Sequence, residues 1–492
     1  MRTAACFAFS VKDNWINDPA GLVYIDGEYH LFYQLNPYGL EWGNMHWGHA
    51  VSEDLIEWRH LPISIYPHPE LGMAFTGSVV VDIDNSSGLF KDTKHGLVAL
   101  LTTALSVTGT DALYQTQSLA YSSDRGVTWK WYKENPVIDM PHLDDFRDPK
   151  VFRYERDNCW VMVVSGGNKV LFFKSANLKN WNRIGEYSIN VGEGVCECPD
   201  LVKMKCGENQ MWVLFFSIGN DKDSRKSGVY YVPGTFNGTE FQAWNTDISP
   251  MDVGPDFYAL QSWYGLLEET IVIAWANNPA YSHRIPKVFP GRAGVLARAR
   301  SLYLHEISGC CMLQQRPAHC STELQRVALS VQALEKNSDC YVISGDQTIE
   351  LVFESGKSEF TTLELFLYSG EKMEFSLTYV PEENSIKIIR NAFVEGVRDT
   401  FIEHEKEFAL IEGKEDFQLR MVFNKKLLEL YLYKGLVVGT YQLFIESQRY
   451  KLITKTSRNK KSQNVSMDVN ELIPKKTNTN HGNSSGEGGD NR

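Results

Sequence analysis

The chain has no run of about 18 apolar residues, the length a helix needs to span a bilayer, so a membrane partner is not expected. It has no basic excess either. With 49 Lys and Arg against 61 Asp and Glu the formal net charge is −12, which speaks against nucleic acid, since a protein that binds it needs a basic patch. Helical periodicity is scarce, which turns the reading away from helical folds. There is no CxxC pair and no HExxH, and the histidines at 46, 49, 60 and 68 match no metal spacing, so neither a metal nor another cofactor is expected. Gly192-Glu193-Gly194 lacks the rest of a nucleotide fingerprint. Nine cysteines is an odd number, and most sit in apolar strand contexts such as Cys159 and Cys340, which fits a reducing compartment. Met1 to Ser10 is too short for a signal peptide ahead of the first motif, so a cytoplasmic location is expected, the alternative being secretion with the leader absent from this chain. Asn85-Ser86-Ser87, Asn237-Gly238-Thr239, Asn464-Val465-Ser466 and Asn483-Ser484-Ser485 match the glycosylation sequon, a triplet too common by chance to weigh much. From Lys475 to Arg492 there is no apolar residue to bury, and a disordered tail is expected over 475–492.

What the chain does have is length, aromatics and repetition. Its 492 residues exceed one ordinary core, so two domains are expected. Five apolar, aromatic-rich strands stand at broadly even spacing: Tyr29–Leu35, Leu97–Ala104, Cys159–Ser165, Met211–Ser217 and Thr270–Ala276. Behind three of them an echo recurs, a polar turn followed by Trp: Ser52 to Trp58, Ser123 to Trp129 and Ser175 to Trp181. Such units, each offering about four short strands, read as propeller blades, and five copies imply five blades. After Cys320 simple alternation takes over, as in Thr348 to Phe353, Thr362 to Leu367 and Leu428 to Leu432, which indicates a β-sandwich. The expected fold is all-β, with a five-bladed β-propeller over 1–308, a linker over 309–325 and a sandwich over 326–474.

Three acidic motifs punctuate the first half: Trp15-Ile16-Asn17-Asp18-Pro19, Phe146-Arg147-Asp148-Pro149 and Glu197-Cys198-Pro199-Asp200. Asp18, Asp148 and Asp200 each stand 11 residues ahead of one of the apolar strands. A single Asp-Pro is turn punctuation, the carboxylate satisfying nearby backbone. Recurrence in successive blades is different, because equivalent places in a ring of blades face one axis. Asp18, Asp148 and Glu197 are therefore expected to meet at one mouth of the channel, and converging carboxylates are what glycoside cleavage needs. Arg147 is expected to hold Asp148 ionised. Gln34, Trp42, Trp47, Phe75, Tyr258 and Trp275 can supply stacking faces and hydrogen bonds for a sugar, whereas Trp58, Trp129 and Trp181 follow the repeat and are assigned to packing.

Taken together these motifs resemble glycoside hydrolase family 32, the family of invertases, fructan hydrolases and sucrose-6-phosphate hydrolases. Trp15-Ile16-Asn17-Asp18-Pro19-Ala20-Gly21 looks like its nucleophile motif. Phe32 to Pro37, Trp47-Gly48-His49, Phe75-Thr76-Gly77-Ser78, Arg147-Asp148-Pro149, Glu197-Cys198-Pro199 and Asp256-Phe257-Tyr258-Ala259 follow in the family's order. Ala20 departs from the usual Asn, and Cys196 stands where an aromatic is frequent. The resemblance implies a retaining β-fructofuranosidase with Asp18 as nucleophile, Glu197 as acid/base and Asp148 as the group that binds fructosyl hydroxyls. It implies a substrate pocket that includes Trp15, Asn17, Gln34, Trp42, Phe75, Thr76, Arg147, Tyr258 and Trp275. The expected partner is sucrose or a short fructan, the expected assembly a monomer or homodimer. The alternatives are a fructosyltransferase using the same residues and a catalytically silent fructoside-binding protein.

Overall fold

The structure, a computed structural model, describes residues 8–474 apart from 12, 92, 111, 191, 193, 220–225, 246–247, 290–292, 308, 319–323, 336–337, 346, 357–360, 384, 392–403, 410–415 and 459–464. The expected tail at 475–492 lies outside the described residues. Among these residues no helix is long and apolar enough to cross a membrane.

Five blades of four antiparallel strands follow one another in chain order. The first comprises Trp15–Ile25, Glu28–Asn36, His46–Ser52 and Arg59–Ile65; the second Met73–Asp82, Gly96–Ser106, Leu113–Ser122 and Lys130–Trp131. The third comprises Lys150–Tyr154, Cys159–Ser165, Lys169–Ser175 and Asn182–Ser188; the fourth Val195–Cys206, Asn209–Gly219, Gly228–Phe236 and Phe241–Ala243. The fifth comprises Tyr258–Ser262, Thr270–Trp275, Arg300–Ile307 and Cys310–Pro317. The aromatic-rich runs seen in the sequence are the second strands. They are apolar without alternation because blades pack on both faces: every residue of Cys159–Ser165 is buried. The polar echo is a turn built by side chains. Ser52 Oγ accepts the N–H groups of Asp54 and Leu55 (3.2 and 2.8 Å), and Asp54 Oδ1 accepts those of Ile56 and Glu57 (2.9 and 2.8 Å). Ser122 with Asp124 and Ser175 with Asn177 repeat the arrangement, so this repeat is structural, as are the Trp residues that end it.

The first strand of each blade lies innermost. These strands touch in cyclic order, and the fifth returns to the first. Closure is hydrogen-bonded: Tyr24 N–H donates to Tyr264 O (2.8 Å), Tyr264 N–H to Leu22 O (3.0 Å), and Leu296 N–H to Phe9 O (2.8 Å). Four of the five inner strands carry a β-bulge at the same level. Residues 17–18, 75–76, 198–199 and 259–260 each oppose a single residue of the neighbouring strand. The third blade puts Asp148, at φ 64°, at that level just before its inner strand. Cys198 and Ala259, at φ 49° and 54°, sit in the left-handed region too, a conformation that reorients side chains.

Below the bulges the axis is closed by a polar cross-link. Lys150 Nζ of the third blade meets Asp200 Oδ2 of the fourth (2.9 Å) and Gln261 Oε1 of the fifth (3.2 Å). Asp200 Oδ2 also accepts Ser262 N–H (2.8 Å). Asp200, which shares the spacing of Asp18 and Asp148, is thus a buried bolt between blades.

The sandwich has a six-stranded sheet ordered Leu324–Ala328, Val465–Pro474, Ile349–Gly356, Asp416–Phe423, Leu427–Leu432 and Val437–Gln442. Its seven-stranded partner runs Gln332–Glu335, Ser338–Ser344, Arg449–Arg458, Thr361–Ser369, Lys372–Val380, Ser385–Arg390 and His404–Ala409. Alternate residues point inward, among them Ile349, Leu351 and Phe353 against Leu363, Leu365 and Leu367. The expected linker is shorter than the sequence suggests. Cys310–Pro317 pairs along its length with Arg300–Ile307 as the outer strand of the fifth blade, and pairing with the sandwich starts at Leu324. The adjacent Cys310 and Cys311 and the polar Gln314, Gln315 and Arg316 obscure this strand in the sequence, although both glutamines are buried.

The Lys150–Asp200 bolt makes a stability prediction. Lys150→Met would leave Asp200 as an uncompensated buried charge, which should cost about 3–5 kcal/mol in denaturant unfolding. A loss below about 1 kcal/mol, the scale of an exposed ion pair, would show that the cross-link does not hold the blades.

Candidate active site

The bulges of the first two blades turn Asn17, Asp18 and Phe75 into one space at the ring's mouth, where Asp148, Glu197 and Tyr258 join them from positions just before the strand or bulge of their own blades. That space is a cavity of about 880 Å³. Trp15, Asn17, Asp18, Gln34 and Trp42 of the first blade line it, with Phe75 of the second. Arg147 and Asp148 of the third blade, Glu197 of the fourth, and Tyr258 and Trp275 of the fifth complete the wall. Of the expected pocket residues, Thr76 alone lies behind the wall; it is fully buried and bonded to Asp18. Trp47, read as a stacking face, is also fully buried, its indole N–H donating to Phe75 O (2.8 Å) because its strand position points between blades. Trp42, by contrast, is 48% exposed at the rim and meets Phe75 edge-on at 5.7 Å.

Asp18 is held by donors from two blades. Thr76 Oγ1 donates to its Oδ2 at 2.6 Å and Gln34 Nε2 at 2.9 Å, and Gln34 Nε2 also reaches Thr76 Oγ1. On the other oxygen Asn17 Nδ2 donates at 3.2 Å, itself steered by the Trp15 indole N–H on Asn17 Oδ1 (2.9 Å). Asp148 accepts the Cys198 backbone N–H (3.0 Å), while its own N–H donates to Thr102 Oγ1 (2.9 Å). Glu197 is clasped from both sides: Arg147 Nη2 and Nε donate to Oε1 at 2.9 and 3.2 Å, and the Tyr258 hydroxyl donates to Oε2. Two contacts had no signal in the sequence. Thr102 lies inside an apolar run, and Cys198 sits within a quoted motif but gave no hint that its amide and thiol both face Asp148, the thiol at 3.5 Å.

The electrostatics differ from the expectation for Arg147. Its guanidinium forks onto Glu197 and Asp145, and Asp148 Oδ2 is 3.9 Å from Nε. Burial pushes Asp148 up from 3.8 to about 7; Arg147 opposes this, while the charges of Asp18 and Glu197 add to it. Burial likewise lifts Asp18 from 3.8 to about 6, against hydrogen bonds from Thr76 and Asn17 and with the help of Glu197. Asp18 and Asp148, like charges brought together from two blades, cannot both be cheaply ionised, so each raises the other's proton affinity. Donor atoms of Asp18, Asp148 and Cys198 lie within 4.8 Å of one another, the spacing of a cation site. Burial pushes the Cys198 thiol well up, however, and a protonated thiol is a poor metal ligand.

Wider out, the mouth is bordered by segments 112–115, 140–145 and 279–284 from the second, third and fifth blades. The sequence reading assigned none of them, because loops without periodicity carry no signal of where they hang.

Comparison with known proteins gives a consistent picture. The family model described as glycosyl hydrolases family 32 N-terminal domain matches residues 9–317. A levanase of Bacillus subtilis is 37% identical over 445 residues, covering 87% of this chain, while the chain spans 63% of that protein's length. An invertase of Debaryomyces hansenii is 30% identical, covering 89% of this chain and 87% of its own. Among solved structures, exo-inulinase from Aspergillus awamori superposes with a TM-score of 0.82 at 29% identity, covering 96% of this chain and 98% of its own.

The raised carboxyls fix a pH dependence of stability. Folded Asp18 and Asp148 keep protons at pH values where the unfolded chain has released them. The folded state therefore binds more protons between about pH 4 and 7, and stability falls as pH rises through that window. Asp148→Asn removes one such group, so its melting temperature should fall less steeply than that of the parent protein from pH 4 to 8. Equal slopes in calorimetry would contradict the electrostatic account.

Proposed function

The chain belongs to glycosyl hydrolase family 32, and from that premise we propose that it hydrolyses the terminal β-fructosyl bond of sucrose or short fructans with retention at the anomeric carbon. The observation that carries the reading is the meeting of Asp18, Asp148 and Glu197, one from each of three blades, in a single aromatic-walled cavity. The names of the levanase, the invertase and the exo-inulinase support fructosides as the substrate class.

In this reading Glu197 delivers its proton to the glycosidic oxygen as that bond breaks. Asp18 attacks the anomeric carbon and forms a fructosyl ester, and the rest of the substrate leaves as an alcohol. Water then adds to the same carbon, giving a proton to Glu197, and the Asp18 carboxylate leaves. Arg147 and Tyr258 fix the Glu197 carboxyl so that it meets the glycosidic oxygen without reorganisation. Asp148 is assigned to the fructosyl hydroxyls, where a carboxyl held by the Cys198 amide, on a backbone anchored to Thr102, discriminates ring geometry. Trp15, Trp42, Phe75 and Trp275 supply the apolar faces of the sugar.

Because Asp18 must be ionised to attack and titrates at about 6, kcat/KM should drop on the acid side with an apparent midpoint near that value. Glu197→Ala should lower turnover on sucrose roughly 10²- to 10⁴-fold, with part of the loss regained on fructosides whose leaving group needs no proton. Asp18→Ala should show no such recovery. Sucrose hydrolysis at parental rates by both variants would sink the assignment. With methanol as competing acceptor the transfer product should be the methyl β-fructoside, and an α-product would exclude retention.

A further inference from the structure

The fifth-blade wall of the cavity is not held by the propeller alone. Tyr258, whose hydroxyl donates to Glu197, follows two residues after Asp256. Asp256 is fully buried and faces the sandwich. Its Oδ2 receives Arg390 Nη1 and the Gln442 backbone N–H (2.7 Å), and its Oδ1 receives the Tyr281 hydroxyl, which Arg390 Nη2 also contacts at 3.2 Å. Arg390 and Gln442 both belong to the sandwich, at the ends of the strands Ser385–Arg390 and Val437–Gln442.

The clamp has a second arm. The Gln442 side-chain amide donates to Ala276 O, the residue after Trp275. One sandwich residue thus bridges the approaches to two strands that carry cavity-lining side chains. The edge strand extends the contact: Val253 N–H donates to Val438 O (2.8 Å), and Asp256 N–H to Thr440 O (3.3 Å). Tyr281 does not line the cavity, but its neighbours Ala280 and Ser282 do, so the ion pair stands directly behind the rim as well as the wall.

We propose that Arg390 of the sandwich is a positioning residue of the active site, its buried pair with Asp256 holding Tyr258 against Glu197 and Tyr281 under the rim. The proposal rests on the reading of Glu197 as the acid/base. Arg390 touches neither Glu197 nor the cavity; it acts through Asp256. Arg390 and Asp256 are both 0% exposed, so no water replaces the guanidinium when it is removed, and the segment leading to Tyr258 must shift to solvate its charge.

The test uses the full chain with sucrose, at a temperature where each variant is folded by circular dichroism. Arg390→Met should lower kcat at least tenfold with a smaller change in KM. Its pH–rate profile should shift in the same direction as that of Tyr258→Phe. In the double variant the two losses should not add, since both act on the same contact. Arg390→Lys, which keeps the charge but not the fork, should recover part of the rate. Arg326→Met serves as control: Arg326 pairs with Glu350 inside the sandwich, and its loss should lower the melting temperature with kcat, KM and pH profile unchanged. If Arg390→Met behaves like this control, the proposal is overturned. If Arg390→Met does not accumulate as soluble protein, Arg390→Lys decides, and parental kinetics in that variant overturn it equally. A parent protein that cleaves no β-fructoside would bring down the earlier reading and this one together, whereas an active parent with unaffected Arg390 variants would bring down only this one.

Discussion

The two-against-one bulge at the top of the inner strands is the constraint on which the site depends. A regular strand alternates its side chains between two faces, and in a blade both faces are packed against neighbours, so a carboxylate there would be buried between sheets. One extra residue breaks the alternation and frees a side chain to point along the axis. Asn17 and Asp18, Cys198 and Pro199, and Ala259 and Leu260 occupy these extra positions. Proline suits them because it has no N–H to offer the ladder, and Pro19, Pro149 and Pro199 each lie within two residues of a cavity carboxylate. The acid and the proline of each motif are therefore two parts of one device: the acid reaches the cavity, and the proline stands beside the interruption in regular pairing.

Gathering three carboxyls at such a point has an electrostatic cost, which the protein distributes rather than removes. Arg147 neutralises at one end, bound to Glu197 and Asp145. Burial raises the proton affinity of Asp18 and Asp148, and the neutral donors, Thr76 and Gln34 for one and the Cys198 amide for the other, offset only part of that rise. Hydrogen bonds from neutral groups stabilise a carboxylate less than a cation would, which leaves these acids poised within reach of neutral pH.

Much of this is legible in the amino-acid sequence. The five apolar runs, the acids at matched offsets and the change of texture near Cys320 identify blades, site and sandwich, because burial on two faces and burial on one write different patterns. Three things were not legible. Asp200 shares its offset with Asp18 and Asp148 but pairs regularly with Phe215 just past the bulge and faces Lys150, since a sequence offset does not show where the bulge falls. Arg147 neighbours Asp148 in sequence, yet successive residues on extended chain diverge, and its guanidinium finds Glu197 fifty positions on. The outer strand Cys310–Pro317 reads in the sequence as part of a linker, because an edge strand needs few apolar residues.

The ring is shut by its two ends. Phe9 and Ser10 lie against Val295 and Leu296, and the first blade bonds to Tyr264 of the last. The cavity wall draws on every blade, so it is not complete until the latest-made part of the propeller meets the earliest. In kinetic terms the decisive contact is the one of greatest sequence separation, whose loop-closure entropy is met last. A growing chain can collapse blade by blade as it emerges, but Tyr258 and Trp275 of the fifth blade join the wall that Trp15 and Asp18 form only at closure. The topology therefore works as an assembly check: a truncated or half-made propeller can be folded in part without carrying a working cleft.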